Sequence, residues 1–290
     1  MSALLSLKAG KANLQLAPDL GGGIASLDLA GKPVLRPWSK RMEDGLFALA
    51  CNIMVPFSNR ISGGGFSFQG ERHDIAPNCE GERFPIHGDG FQKAWAISTQ
   101  TENAATLILE NGNIGPFKYS AEQIFSLSPD GLRVELNVMN KGSQALPFGG
   151  GFHPWFPRDE KTRLDFSANG FWLEETPLIP KTLLPVAETP EWDFKNGRLL
   201  PARGIDHAWE GWNGKARLEQ GDANVSVNIS ASDNMNCVVV YTLGKGGDFV
   251  CFEPVSHPVD ACNQSGMPGL KILEPGQSMS VWMRLEWDGQ

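Results

Sequence analysis

The sequence predicts an all-β protein, a large antiparallel β-sandwich filling residues 1–290 as one domain. Three observations carry that expectation. Apolar and polar residues alternate with period two along most of the chain, the separators are turn chemistry, and no capped helical period interrupts them. The composition agrees, with 33 glycines and 20 prolines among 290 residues. A sandwich of that length can be a single unit, and it buries enough apolar surface to fold without a disulfide or metal staple.

In chain order, LLSLKA, ANLQLA, IASLDLAG, FSFQG, ATLILEN and YSAEQIFSLS alternate as half-buried strands do. LRVELNVMN, TRLDFSA, ARLEQ, NVSVNISAS, CVVVYTL and VWMRLEW continue the pattern to the C-terminus. Between them, LAGKPV, FQGERH, SPDGL, NKGS and LEPGQS hold the Gly, Pro, Asn and Asp that chain reversals use. SLSPDGLRVEL reads as a hairpin, two alternating runs around a polar turn. One short helical turn is expected within Leu35–Phe47. Glycine clusters at Gly21–Gly23, Gly63–Gly65 and Gly149–Gly151 have unlike flanks, so they are not repeats. None joins a strand to a helix, which argues against a dinucleotide or phosphate loop.

The net charge of −8, with acids and bases interspersed, argues against nucleic acid or an anionic membrane as partner. A neutral small molecule fits better. MSALLSLKAGKANLQL lacks the features of a secretion signal, and no apolar run reaches the length of a membrane span. Five cysteines form no CxxC pair and are odd in number, as expected for reduced thiols of a cytoplasmic protein. Zinc held by Cys251 and Cys262 with nearby His257 would lack any familiar ligand spacing. Neither a metal nor a cofactor is expected, and the oligomeric state is left open.

Four segments place polar chemistry at glycine- or proline-rich breaks. PFSNRISGGGF holds Arg60 beside a hairpin, although an arginine in a turn is ordinarily a surface residue. PIHGDGFQKAW holds His87, which by itself reads as a loop residue. FGGGFHPWF sets His153 among glycines, which let a ligand approach the backbone, and aromatics such as Trp155, on which a pyranose can lie. The simplest reading of that histidine alone is a satisfied core residue. In FVCFEPVSHPVDACN, Glu253 follows the strongly apolar strand VVVYTLGKGGDFVCF and is stopped by Pro254. A carboxylate at the mouth of a buried strand is costly unless it is partnered or has a function.

The order of these boxes resembles the aldose 1-epimerase (galactose mutarotase) family, especially its shorter bacterial members. The similarity runs along nearly the whole chain: NRI before a hairpin, HG before a tryptophan, a GxHPxF box, and an acidic-Pro box ending in Asn before a last apolar strand. The resemblance implies a large β-sandwich and a cofactor-free sugar isomerase with His153 as general acid and Glu253 as general base. It also implies that Arg60 and His87 orient the sugar, and, on a looser match, that Asp206 in GIDHAWEGWNG grips its hydroxyls. The chain has HPWF where well-characterised mutarotases have HPYF, and EPVSHPVDA where they have an E-T-Q-x-x-P-D-A run. The change at Ser256 and His257 is expected to alter contacts beside the base.

An acid and a base across an aldose suit mutarotation, since ring opening removes a proton from O1 while the ring oxygen gains one. Histidine can be charged before transfer and neutral after it near neutral pH. Three other readings stay open. A phosphorylated hexose would need extra cations, for which Arg72 and Arg83 are near His87 in sequence. A non-catalytic carbohydrate-binding protein would need neither acid nor base. A glycosidase would need two carboxyls, such as Asp206 and Glu253, and would leave the histidines unexplained.

Overall fold

Residues 4–39, 46–176, 178–223 and 225–288 are described by the computed structural model. They form two large antiparallel sheets facing one another. The larger begins at the edge strand Leu5–Ala9 and ends at Ile179–Pro185; its centre is, in order, Cys51–Met54, Gly151–Pro157, Phe249–Val255, Cys237–Thr242 and Ile205–Glu210. The second runs from Arg198–Leu199 to Ala96–Gln100, with the C-terminal strand Ser278–Trp287 in its interior. The all-β sandwich expected from the sequence is therefore the observed architecture.

Every strand expected from alternation is present. The expected hairpin pairs Phe117–Ser128 with Gly131–Asn140, closing at Ser128 opposite Gly131 around Pro129 and Asp130. The burial pattern of these strands alternates because one face meets the core and the other meets solvent. Leu107, Phe125, Leu132, Val134, Val227, Met283 and Leu285 of the second sheet share one core with Ile53, Phe152, Phe156, Val238, Val240, Val250 and Phe252 of the larger one. The helical turn expected within Leu35–Phe47 lies partly outside the described residues; a short 3-10 turn occupies Leu46–Ala48. Among the described residues no helix is long and apolar enough to cross a membrane.

Three local readings of the sequence are corrected. First, VVVYTLGKGGDFVCF is not one strand but a hairpin of Cys237–Thr242 and Phe249–Val255. Second, Glu253 is inside the latter strand rather than at its mouth, with Val239 opposite it. Pro254 continues the strand because a proline only removes a donor there. Third, the glycines at 149–151 do not open the backbone to a ligand. A Cβ at Gly149 would meet the His257 ring at 2.3 Å, and one at Gly151 the Pro254 carbonyl at 2.6 Å. They make room for the protein itself.

Candidate active site

The centre of the larger sheet is buried on both faces: one packs on the second sheet, and loops cover the other. On this outer face, register alone assembles a grid of side chains. The pairs Gly151–Val255 and Trp155–Cys251 set His153 directly opposite Glu253. Asn52 flanks His153 on one side, and Val239 flanks Glu253 on the other. One row over, two residues along each strand, Trp155, Cys251, Tyr241 and Asp206 are aligned across four strands. No ladder pairing joins the two strands between Gly151–Val255 and Trp155–Cys251. Pro154 and Pro254 lack N–H groups in that gap, which opens the ladder where the histidine and glutamate stand.

His153 Nε2 is 3.3 Å from Glu253 Oε1. The two residues are 6% and 2% exposed, so the contact is almost dry. Burial pushes the His153 imidazole down to about 3. Burial also holds the Glu253 carboxyl well above the usual carboxylate range, and Asp206 adds to that rise. Both directions favour a pair that carries one proton and no net charge, a protonated carboxyl facing a neutral imidazole. The His153 ring stacks on Trp155, with centroids 5.1 Å apart, and its Nδ1 has no hydrogen-bond partner among the described residues.

A cleft of about 420 Å³ opens above the pair, within the roughly 300–1,000 Å³ usual for small-ligand sites. All six residues singled out in the sequence line it: Arg60, His87, His153, Trp155, Asp206 and Glu253. The roof loops are fixed by their own polar groups. His87 and Asn59 both have left-handed backbones, with φ of 58° and 51°. They bind reciprocally: His87 N–H donates to the Asn59 carbonyl, and Asn59 N–H donates to His87 Nδ1, each at 3.0 Å. His87 is thereby set with its proton on Nε2. Burial, then the neighbouring His153 and Arg60, hold that ring neutral by keeping its pKa well below the ordinary value. Arg60 reaches Glu82 with two parallel hydrogen bonds of 3.1 and 3.0 Å. Asp260 ties this loop to the C-terminal box, accepting from Ser62 N and Oγ while its own N–H donates to the Arg60 carbonyl.

Trp155 is only 7% exposed, lies 4.5 Å from Phe249 and sits under the Arg36 guanidinium. It therefore forms a wall that props the imidazole, not the open platform expected. Sequence reasoning missed Phe47, Glu82 and Tyr241, which also line the cleft. Tyr241 had a weak signal, as a polar-tipped aromatic in a run of valines; Glu82, in an exposed loop, had none.

His257 proves to be structural. Its Nδ1 donates to the Pro258 carbonyl at 2.8 Å, and its Nε2 accepts from Ser58 N–H at 3.0 Å. It does not line the cleft, and with Cys262 and Cys251 it forms no ligand cluster among the described residues. Burial lowers its pKa from 6.5 to about 4. Between those values the unfolded chain binds a proton that the folded chain refuses, so stability falls as pH falls. This histidine should withdraw roughly 3 kcal/mol between pH 7 and pH 4. Thermal unfolding across that range should show a shallower pH slope in His257→Gln; an unchanged slope contradicts the assignment.

Comparison with known proteins follows the same outline. The sequence profile of the family described as Aldose 1-epimerase matches residues 3–286. An uncharacterised Escherichia coli K12 protein, YphB, is 32% identical over 98% of this chain and 99% of its own length. The crystal structure of an E. coli K12 protein described as a candidate aldose 1-epimerase superposes with a TM-score of 0.92, at 31% identity and 99% coverage of both chains. A galactose mutarotase-like protein from Clostridium acetobutylicum shares the fold at a TM-score of 0.85 and 20% identity, covering 99% of this chain and 95% of that one. The chain belongs to the aldose 1-epimerase family.

Proposed function

We propose that the protein is an aldose 1-epimerase interconverting the α and β anomers of a free, unphosphorylated aldose, with His153 as general acid and Glu253 as general base. The observation that carries this reading is the His153–Glu253 contact of 3.3 Å on the floor of a sugar-sized cleft.

A single proton on the pair serves both forms of the sugar. With the ring form bound, that proton resides on His153 and Glu253 is a carboxylate. Glu253 takes the proton of O1–H, the C1–O5 bond breaks with its electrons passing to O5, C1=O1 forms, and His153 protonates O5. This leaves the open-chain aldehyde facing a protonated Glu253 and a neutral His153, which is the distribution that burial favours in the free site. Rotation about C1–C2 presents the other face of the aldehyde, and the same transfers run backwards to close the ring. The protons transferred in each direction balance, and no external base is required. Each positioned acid or base contributes about 10²–10⁴-fold. His87 donates from Nε2 and Arg60, held by Glu82, donates from its remaining N–H groups, so both orient sugar oxygens; Asp206 accepts from hydroxyls.

The charges around the cleft favour a neutral sugar over a phosphorylated one. Among the described lining residues Arg60 stands against Glu82, Asp206 and Glu253, and its fork is already bound to Glu82. The cations that would serve a phosphate are elsewhere: Arg72 pairs with Asp74 on an exposed hairpin, and Arg83 lies over Phe84. Polarimetry on freshly dissolved anomers of glucose, galactose and glucose 6-phosphate tests this. A free aldose should equilibrate at least tenfold faster than the phosphorylated one at equal enzyme. Faster turnover of glucose 6-phosphate would reverse the substrate assignment.

A further inference from the structure

Beneath the pair is a third ligating group that the proposed reaction does not use. Cys251 is two residues from Glu253 on one strand and directly opposite Trp155, so it shares their face of the sheet. One ligand atom from each of His153, Cys251 and Glu253 lies within 4.8 Å of the other two, and all three residues are buried. We propose that these three side chains form a binding site for a thiophilic divalent cation, Zn²⁺ in particular, entered from the cleft.

The geometry needs little adjustment. Zinc bonds of roughly 2.0–2.3 Å place tetrahedral ligand atoms roughly 3.3–3.8 Å apart. The His153–Glu253 separation of 3.3 Å already meets that spacing. The sulfur, which lies within 4.8 Å of the other two ligand atoms, has to close by at most roughly 1 Å to reach that spacing. Charge favours the same ion: a thiolate and a carboxylate balance a divalent cation, so the loaded site is neutral in a place where net charge is costly. The set of one sulfur, one imidazole and one carboxyl is a zinc-type donor set, and the cleft leaves the fourth position open. Such an ion would occupy the gap that a sugar must enter. It acts as an inhibitor, not a cofactor. Cation binding is independent of any catalytic reading, and only the inhibition rests on the proposed epimerase activity.

Titration of the full-length protein with Co²⁺, followed by back-titration with Zn²⁺, tests the site. The wild-type chain should take up one Co²⁺ with a thiolate-to-cobalt charge-transfer band that Zn²⁺ abolishes. Cys251→Ser should lose the band, and His153→Asn should weaken Co²⁺ binding at least tenfold with the cysteine intact. Cys79→Ser, at the partly buried thiol, should behave as wild type. Absence of the band in wild type, or a band that survives Cys251→Ser, or one lost only in Cys79→Ser, overturns the proposal. Where an aldose is turned over, Cys251→Ser should keep that activity within about threefold while the Zn²⁺ concentration for half-inhibition rises at least tenfold. Equal inhibition of both chains counts against the site, and failure of every aldose leaves the cobalt result to decide.

Discussion

Glu253→Gln should slow enzyme-catalysed anomer exchange by about 10²–10⁴-fold, and His153→Asn by a similar factor. Glu253→Gln replaces a buried carboxyl by a neutral amide of nearly the same shape, whereas His153→Asn also removes the ring that stacks on Trp155. The packing of residue 253 beside Val239 needs no charge, so Glu253→Gln should unfold near wild type. His153→Asn gives up the buried ring on Trp155 and should be less stable than wild type yet still folded under assay conditions. In the proposed reaction the two residues exchange protons through one substrate, so their losses should not multiply. The double variant should fall within about tenfold of the worse single one, as for groups that act as a unit. Anomer exchange measured by polarimetry, with circular dichroism as the fold control, checks all three. Full activity in either single variant would remove the acid–base assignment.

The second large effect is on the mount of His87. A Cβ at Gly88 would stand 1.9 Å from the Val55 carbonyl oxygen, on a backbone with φ of +68°. That carbonyl also accepts from Gly90 N–H and from Tyr119 Oη, so it is not free to move. Gly88→Ala should therefore cost about 3–5 kcal/mol, combining left-handed strain with overpacking. Gly63 is the internal control: its φ is +63°, but nothing lies within 4 Å of a Cβ there. Gly63→Ala should cost only about 1–2 kcal/mol, the conformational part alone. Urea unfolding separates the two, and equal costs would show that close packing at Gly88 is not what matters.

The sequence was legible where strands have one wet face. LRVELNVMN and YSAEQIFSLS alternate because their outer residues meet water, and both fold as expected. It was least legible where the site is built. Cys51–Met54 and Phe249–Val255 are buried along their whole length, and Gly151–Pro157 at all but its last residue. Two buried faces erase the alternation, so none of these three was delineated as a strand, and Glu253 was assigned to a strand end. The residues that line the cleft were legible from their setting, because glycine, proline and aromatic neighbours around His87, His153 and Glu253 depart from ordinary strand composition. What joins them was not. His153 and Glu253 are a hundred residues apart in sequence, and only pairing of their two strands makes them neighbours. Likewise, no local pattern reveals that Asp260 holds the Arg60 loop or that His257 supports Ser58 rather than Glu253.

Magnetisation-transfer NMR between the α and β anomeric protons of free aldoses, with and without the wild-type chain, reads the proposed epimerase activity itself. At least one aldose should show anomers that exchange far faster than in buffer, with the excess abolished in Glu253→Gln. Exchange no faster than in buffer across glucose, galactose and the other common free aldoses would contradict that activity.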